Sequence, residues 1–205
     1  MNILSRFRPV HLLYVGIVLA LSCAFFFWQS RQPAQNPDPN HTHADFAVWI
    51  EGKHVDFGDK KYMSDHDDLG GHVQQDKYLH FHDNNPNVVH RHKPGLTIGE
   101  FLQSLGWKKE GACIVDDKTQ QRCDAADKKW RMIVNGQEKP FDWAYDFADG
   151  DQILFSYDTA DADLAGQIDE LTDQACLYSR TCPWRGEPPV EGCVSDIDVP
   201  CTEVK

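Results

Sequence analysis

The sequence predicts an α+β protein: an N-terminal transmembrane helix, then one mixed-sheet domain with a disulfide-stapled C-terminal tail. Three observations carry that reading. Val10–Trp28 is a run of 19 residues with no Asp, Glu, Lys or Arg, long enough for the hydrocarbon of a bilayer. Short alternating or apolar segments alternate with turn signals from Ala44 to Tyr157, with a capped helical pattern among them. Six cysteines follow the apolar run at close spacings. The boundaries are residues 1–9 as a cytoplasmic stub, 10–28 as the anchor, 29–40 as a linker, 41–158 as the His-rich domain, and 159–205 as a helix and Cys-rich tail.

The apolar run ends in Phe25-Phe26-Phe27-Trp28 rather than in the small residues of a cleavage site. Arg6 and Arg8 precede it, which places the N-terminus in the cytoplasm and the rest outside. The expectation is a single-pass protein of the cytoplasmic (inner) membrane with an extracytoplasmic C-terminal domain. Gln29–Asn40 carries three prolines and no core former, as a stiff solvated spacer does. The net charge of −12, with Arg6, Arg8 and Arg31 all near the N-terminus, leaves a strongly acidic domain. Such a surface repels nucleic acid and attracts cations. Its partners are the membrane, through the anchor, and an envelope protein.

Within the domain, Ala44–Ile50 and Lys53–Phe57 read as a hairpin turning at Glu51-Gly52. Thr97 with Glu100 forms a capping box. Ile98, Phe101, Leu102 and Leu105 give that helix an apolar face, and Gly106 ends it. Cys113–Val115 and Trp130–Val134 read as strands. Asn135-Gly136 is a two-residue hairpin turn. Phe141–Asp149 is an aromatic loop, Gln152–Tyr157 a buried strand, and Asp161–Ala175 a helix. In an oxidising compartment the six cysteines predict three local disulfides, Cys113–Cys123, Cys176–Cys182 and Cys193–Cys201, with exchange among the last four as the alternative.

The chemistry concentrates in histidine. Tyr78–His92 reads YLHFHDNNPNVVHRH, with pairs His80/His82 and His90/His92, and a third pair, His41/His43, opens the domain. Residues two apart in a strand share a face. A hairpin with His82 opposite His90 and His80 opposite His92, closed by Asn85-Pro86-Asn87, gathers all four imidazoles, whereas a two-residue loop, Asn85-Pro86, puts the two pairs on opposite faces. Leu79, Phe81 and Val89 then face the core, and Arg91 stands awkwardly among them. His41, His43 and His54 join if the first hairpin pairs alongside, and Asp45, Asp65, Asp67 and Asp68 offer oxygen ligands or supporting partners. Neutral imidazole is the usual protein ligand for zinc and copper. With only three methionines, Cu(II) or Zn(II) is preferred to a thioether Cu(I) site. A solvated histidine face is the plain alternative, and proton sensing a third, in which mutual repulsion lowers the imidazole pKa values.

The order hairpin, helix, strand, Asn-Gly hairpin, strand over residues 78–158 resembles the β-grasp, the ubiquitin-like architecture. The Asp149-Gly150-Asp151 turn is similar to the last turn of its small sulfur-carrier members, although the chain has no Gly-Gly tail. His41-Thr-His43-Ala-Asp45 resembles the metal motif of metallo-β-lactamase-like hydrolases, with Phe46 where that motif has His. His80-Phe-His82 is similar to the first cupin motif, with Pro86 and Asn87 where a Glu belongs. The whole ectodomain resembles membrane-anchored bacterial and archaeal His-x-His proteins of undefined function, some labelled protein-disulfide isomerase. This chain has no Cys-x-x-Cys. The functional expectation is divalent transition-metal binding, copper or zinc, by His80, His82, His90, His92, His41 and His43. The alternatives are an envelope enzyme, metal-dependent or disulfide-handling, or an interaction module with incidental histidines.

Overall fold

A computed structural model describes residues 9–38, 40–64, 76–81 and 83–189. Helix α1 (Pro9–Gln29) contains an apolar span with no buried residue, His11–Gln29, long enough to cross a membrane. The remaining elements are β1 (Thr42–Ile50), β2 (Lys53–His54), β3 (Leu79–His80), β4 (Val88–Arg91), α2 (Ile98–Ser104), β5 (Lys108–Glu110), β6 (Cys113–Val115), β7 (Gln121–Cys123), β8 (Lys128–Val134), β9 (Gln137–Lys139), β10 (Asp151–Thr159), α3 (Leu164–Asp169) and α4 (Ala175–Tyr178).

The main sheet runs β3-β4-β1-β10-β8-β9, with β2 on the second half of β1's edge. Strands β1 and β10 lie at its centre and are parallel; their neighbours β4 and β8 are antiparallel to them. Thr42–Val48 are all buried, as a central strand covered on both faces must be. Phe46 and Val48 enter the main core, where Phe46 meets Phe57, Phe101 and Phe155. Ala47 and half-buried Trp49 enter a smaller core under α3, with Leu164, Ile168 and Leu171. Alternate β1 residues thus serve two different layers, and His43, Asp45, Ala47 and Trp49 share the layer of α3 and α4.

The helix α2 forms as the capping box dictates, with Thr97 Oγ1 accepting from Glu100 N–H and the Glu100 carboxylate from Thr97 N–H. Its apolar residues Ile98, Phe101 and Leu102 are buried, as is Leu105, and Gly106 closes it at a φ of +89°. Gly99 lies against Trp143 so closely that a Cβ would stand 2.3 Å from the Trp143 carbonyl oxygen. Asn135 and Gly136, both left-handed, turn β8 into β9. A separate three-stranded sheet, β5-β6-β7, is stapled where Cys113 faces Cys123. Cys176–Cys182 is likewise bonded, and Cys193 and Cys201 lie outside the described residues.

Two expectations change. The predicted helix 161–175 is helical only over α3, and α4 starts afresh at Ala175, because Thr172, Gln174 and Ala175 are captured elsewhere. The buried Asp45 carboxylate accepts from Thr172 Oγ1 and from the backbone N–H groups of Gln174 (2.8 Å) and Ala175 (3.1 Å). It caps α4 from another element, work that a continuous helix would leave undone. In the His hairpin, His80 pairs with His90 and Leu79 with Arg91, two residues from the expected register. The turn is longer than three residues: Asp83 and Asn84 both adopt left-handed φ, and Asn85 Oδ1 accepts from Asn87 N–H. A shift of two preserves the faces. Leu79, Phe81 and Val89 are in the main core as expected. Arg91 is accommodated there because its guanidinium donates to Asp146 Oδ1 and the Leu96 carbonyl (3.0 Å) and lies over the Phe147 ring.

Candidate metal centre

The first residues of β1 and the middle of β4 build the site. His43 stands opposite His90 across the antiparallel pair, so their side chains share a face. Their rings are 4.8 Å apart, centre to centre. His41, just before the strand, turns back over the same face, its ring 4.5 Å from that of His43 and 6.3 Å from that of His90. One potential ligand atom from each of His41, His43 and His90 lies within 4.8 Å of the other two. These three imidazoles form a cluster that can hold a metal ion. His43 and His90 are buried and His41 is half-buried, so the group sits at the end of the sheet with one side toward solvent.

His92 and His80 extend the array. The His92 ring is 4.0 Å from His41 and 4.9 Å from His80, on which it stacks. Both are buried. Five imidazoles therefore run in the order His80, His92, His41, His43, His90. His82 is outside the described residues, as are His66, His72, Asp65, Asp67 and Asp68. His54 is not part of the array: it pairs with Trp49 near the opposite end of β1, 5.4 Å ring to ring, because β2 joins β1 only at residues 49 and 50.

Hydrogen bonds fix two of the ring orientations. Ser179 Oγ is 2.5 Å from Asp149 Oδ1 and 2.7 Å from His43 Nδ1. A carboxylate accepts, so the Ser179 hydroxyl proton is directed to Asp149, and the hydroxyl oxygen accepts from His43 Nδ1–H. Nε2 of His43 then carries the lone pair. Asp149 also accepts from the His43 backbone N–H at 3.0 Å, gripping the residue twice. His80 Nδ1 lies 2.6 Å from the Asp76 carbonyl, which can only accept, so its Nε2 also carries the lone pair. A partner on the far nitrogen that orients a histidine is the usual support of a metal ligand.

Asp45 has a different role from the one expected of it. It is turned away from the imidazoles toward α4, and burial raises its carboxyl above the usual range despite the donors from Thr172, Gln174 and Ala175. By holding α4 it places Tyr178 and Ser179. The Tyr178 ring packs 4.6 Å from His90 and 5.6 Å from His43. The Cys176–Cys182 disulfide closes the loop that contains both residues. Asn85, in the His hairpin turn, donates to Tyr178 Oη and Gln174 Oε1. Asp149, Tyr178 and Ser179 escape a reading of the sequence, since no spacing links them to histidines more than 50 positions away. Asp149 reads there as a turn residue, which it also is.

No family model matches this chain, and no curated protein or solved structure matches it either.

Proposed function

We propose that this chain is a membrane-anchored extracytoplasmic protein that binds a divalent transition ion, Cu(II) or Zn(II), through His41, His43 and His90. The observation that carries the reading is the convergence of three imidazole donors within 4.8 Å at one partly open sheet end. Around one ion, imidazole nitrogens bound at about 2.0–2.1 Å sit roughly 3.4 Å apart, so the rings draw together on binding. His92, stacked between His41 and His80, is the nearest source of a fourth nitrogen. An all-nitrogen set suits zinc and copper and disfavours the hard ions calcium and magnesium.

α1 supports the anchor by its length and apolar composition, and Arg6 and Arg8 support an outward-facing domain. Two disulfides fit an oxidising compartment. The main sheet is a β-grasp in this reading: order β4-β1-β10-β8-β9, central strands parallel, α2 between the second and third grasp strands. β1 then takes the place of the first strand, and the His hairpin supplies the second. The test is X-ray absorption at the metal edge of the full-length chain, purified in a neutral detergent and loaded with Zn(II). A shell of imidazole nitrogens at about 2.0 Å is expected. No retained metal, or a shell of oxygen alone, contradicts the reading.

A further inference from the structure

The same face of β1 that begins with His43 ends, six residues on, at Trp49. Along a strand that is about 20 Å. There the β1–β2 turn, the end of β10 and α3 enclose a cleft of about 340 Å³. Its rim is acidic: Glu51 from the turn, Asp158 from β10, and Asp163 and Glu170 at the two ends of α3. Lys128 neutralises Glu51 at 2.6 Å. Asp158 is fixed by the N–H groups of Gly52 and Thr159, which orient its carboxylate without cancelling its charge. Asp163 caps α3 through Gly166 N–H. Glu170 has no ion-pair partner among the described residues.

Acidic rims are common on a chain of this charge, and what sets this one apart lies beneath it. Gln167 is only 4% exposed, lines the cleft, and its Oε1 is buried with no hydrogen-bond partner. Trp49 Nε1 in the same wall is also buried without one. Ser156, directly across from Trp49 in the β1–β10 register and fully buried, has a third such atom, its Oγ. A buried polar atom left without a partner costs about 1–3 kcal/mol; here two line one cleft, and the third lies beside Trp49 in the next strand.

The geometry points to a binding site for an arginine side chain of a peptide or protein segment. A guanidinium brings only donors and a positive charge, which match Gln167 Oε1 and the Asp158 and Glu170 carboxylates. Its plane stacks on an indole such as Trp49. The peptide carbonyl beside it supplies the acceptor that Trp49 Nε1–H lacks. This site is independent of the histidine cluster and of any metal.

The test uses the full-length chain in neutral detergent, ¹⁵N-labelled at tryptophan, with the Trp49 indole signal assigned by Trp49→Phe. The probe is N-acetyl-arginine amide, and its neutral isostere, N-acetyl-citrulline amide, is the control. A saturable shift of the Trp49 signal with arginine is expected, with citrulline ineffective. Glu170→Gln together with Asp158→Asn should weaken binding about fivefold or more, with the other indole signals unmoved as the control for folding. No saturable shift, or an equal response to citrulline, overturns the assignment, and so does an undiminished response in the double variant. The wild-type comparison of the two probes stands even if that variant fails to fold.

Discussion

Nδ1 of His43 lies 2.7 Å from the hydroxyl of Ser179, a residue 136 positions further along the chain. That contact joins the first strand of the domain to the Cys-rich tail, and Asp149 completes it from the turn before β10. The tail is therefore the part of the protein that orients His43 in the candidate metal centre, rather than an appendage beside it.

Ser179→Ala should lower metal affinity by about 10–100-fold, the usual cost of losing a partner that orients a ligand. Ser179→Thr, which keeps the hydroxyl, should retain most of it. Competition against a chromophoric chelator measures both. ¹⁵N shifts of His43 should show Nδ1 protonated in the wild type and a mixture of tautomers in the alanine variant. Unchanged affinity in Ser179→Ala would remove the relay from the account.

Replacing Cys176 and Cys182 with serine opens the loop that carries Tyr178 and Ser179. Its closure is worth about 2–3 kcal/mol in the chain-entropy model. Affinity for Zn(II) should fall in this pair of substitutions. The equivalent change at Cys113 and Cys123, which staples β6 to β7 away from the imidazoles, should reduce stability and spare affinity. Equal effects on affinity would mean that α4 is not the element that shapes the site.

Local signals were legible in the sequence. The capping box at Thr97 and Glu100, the Asn135-Gly136 turn, the Cys113–Cys123 and Cys176–Cys182 bonds, and the apolar N-terminal run all rest on residues close together in the chain. The shared face of His80, His90 and His92 was legible as well, because strand alternation survives a register shift of two; His82 lies outside the described residues. The register itself was not, since Asp83 through Asn87 are all turn formers and allow more than one turn. Nor was the break between α3 and α4, which a buried carboxylate on β1 imposes from 127 to 130 residues away. The awkward Arg91 was visible as an anomaly, but its partners Asp146, Leu96 and Phe147 come from loops that only the fold brings together.

Gly99→Ala should destabilise the domain by about 1–3 kcal/mol, as overpacking does. Alanine favours a helix intrinsically, but the added methyl would meet both the carbonyl and the indole of Trp143 at under 3 Å. Chemical denaturation reads the change. A neutral or stabilising result would mean that the aromatic loop 141–149 moves aside at little cost.

Burial, reinforced by its hydrogen bond to Asp151, pushes the Tyr145 phenol up to about 12 from 10.0. Below pH 10 the phenol is protonated in both folded and unfolded chains and makes no difference to their balance. Between pH 10 and about 12 the unfolded chain ionises first, so stability falls as pH rises through that window. Subtracting the denaturation midpoints of Tyr145→Phe from those of the wild type across this range isolates the contribution. A flat difference would contradict it.

The most direct test of the metal centre is a Zn(II) and Cu(II) affinity titration of single alanine variants in the full-length protein. His41→Ala, His43→Ala and His90→Ala should each lose at least about tenfold in affinity, while His54→Ala, at the far end of β1, should match the wild type. If the first three bind as the wild type does, or His54→Ala loses as much as they do, the imidazole cluster is not the metal site.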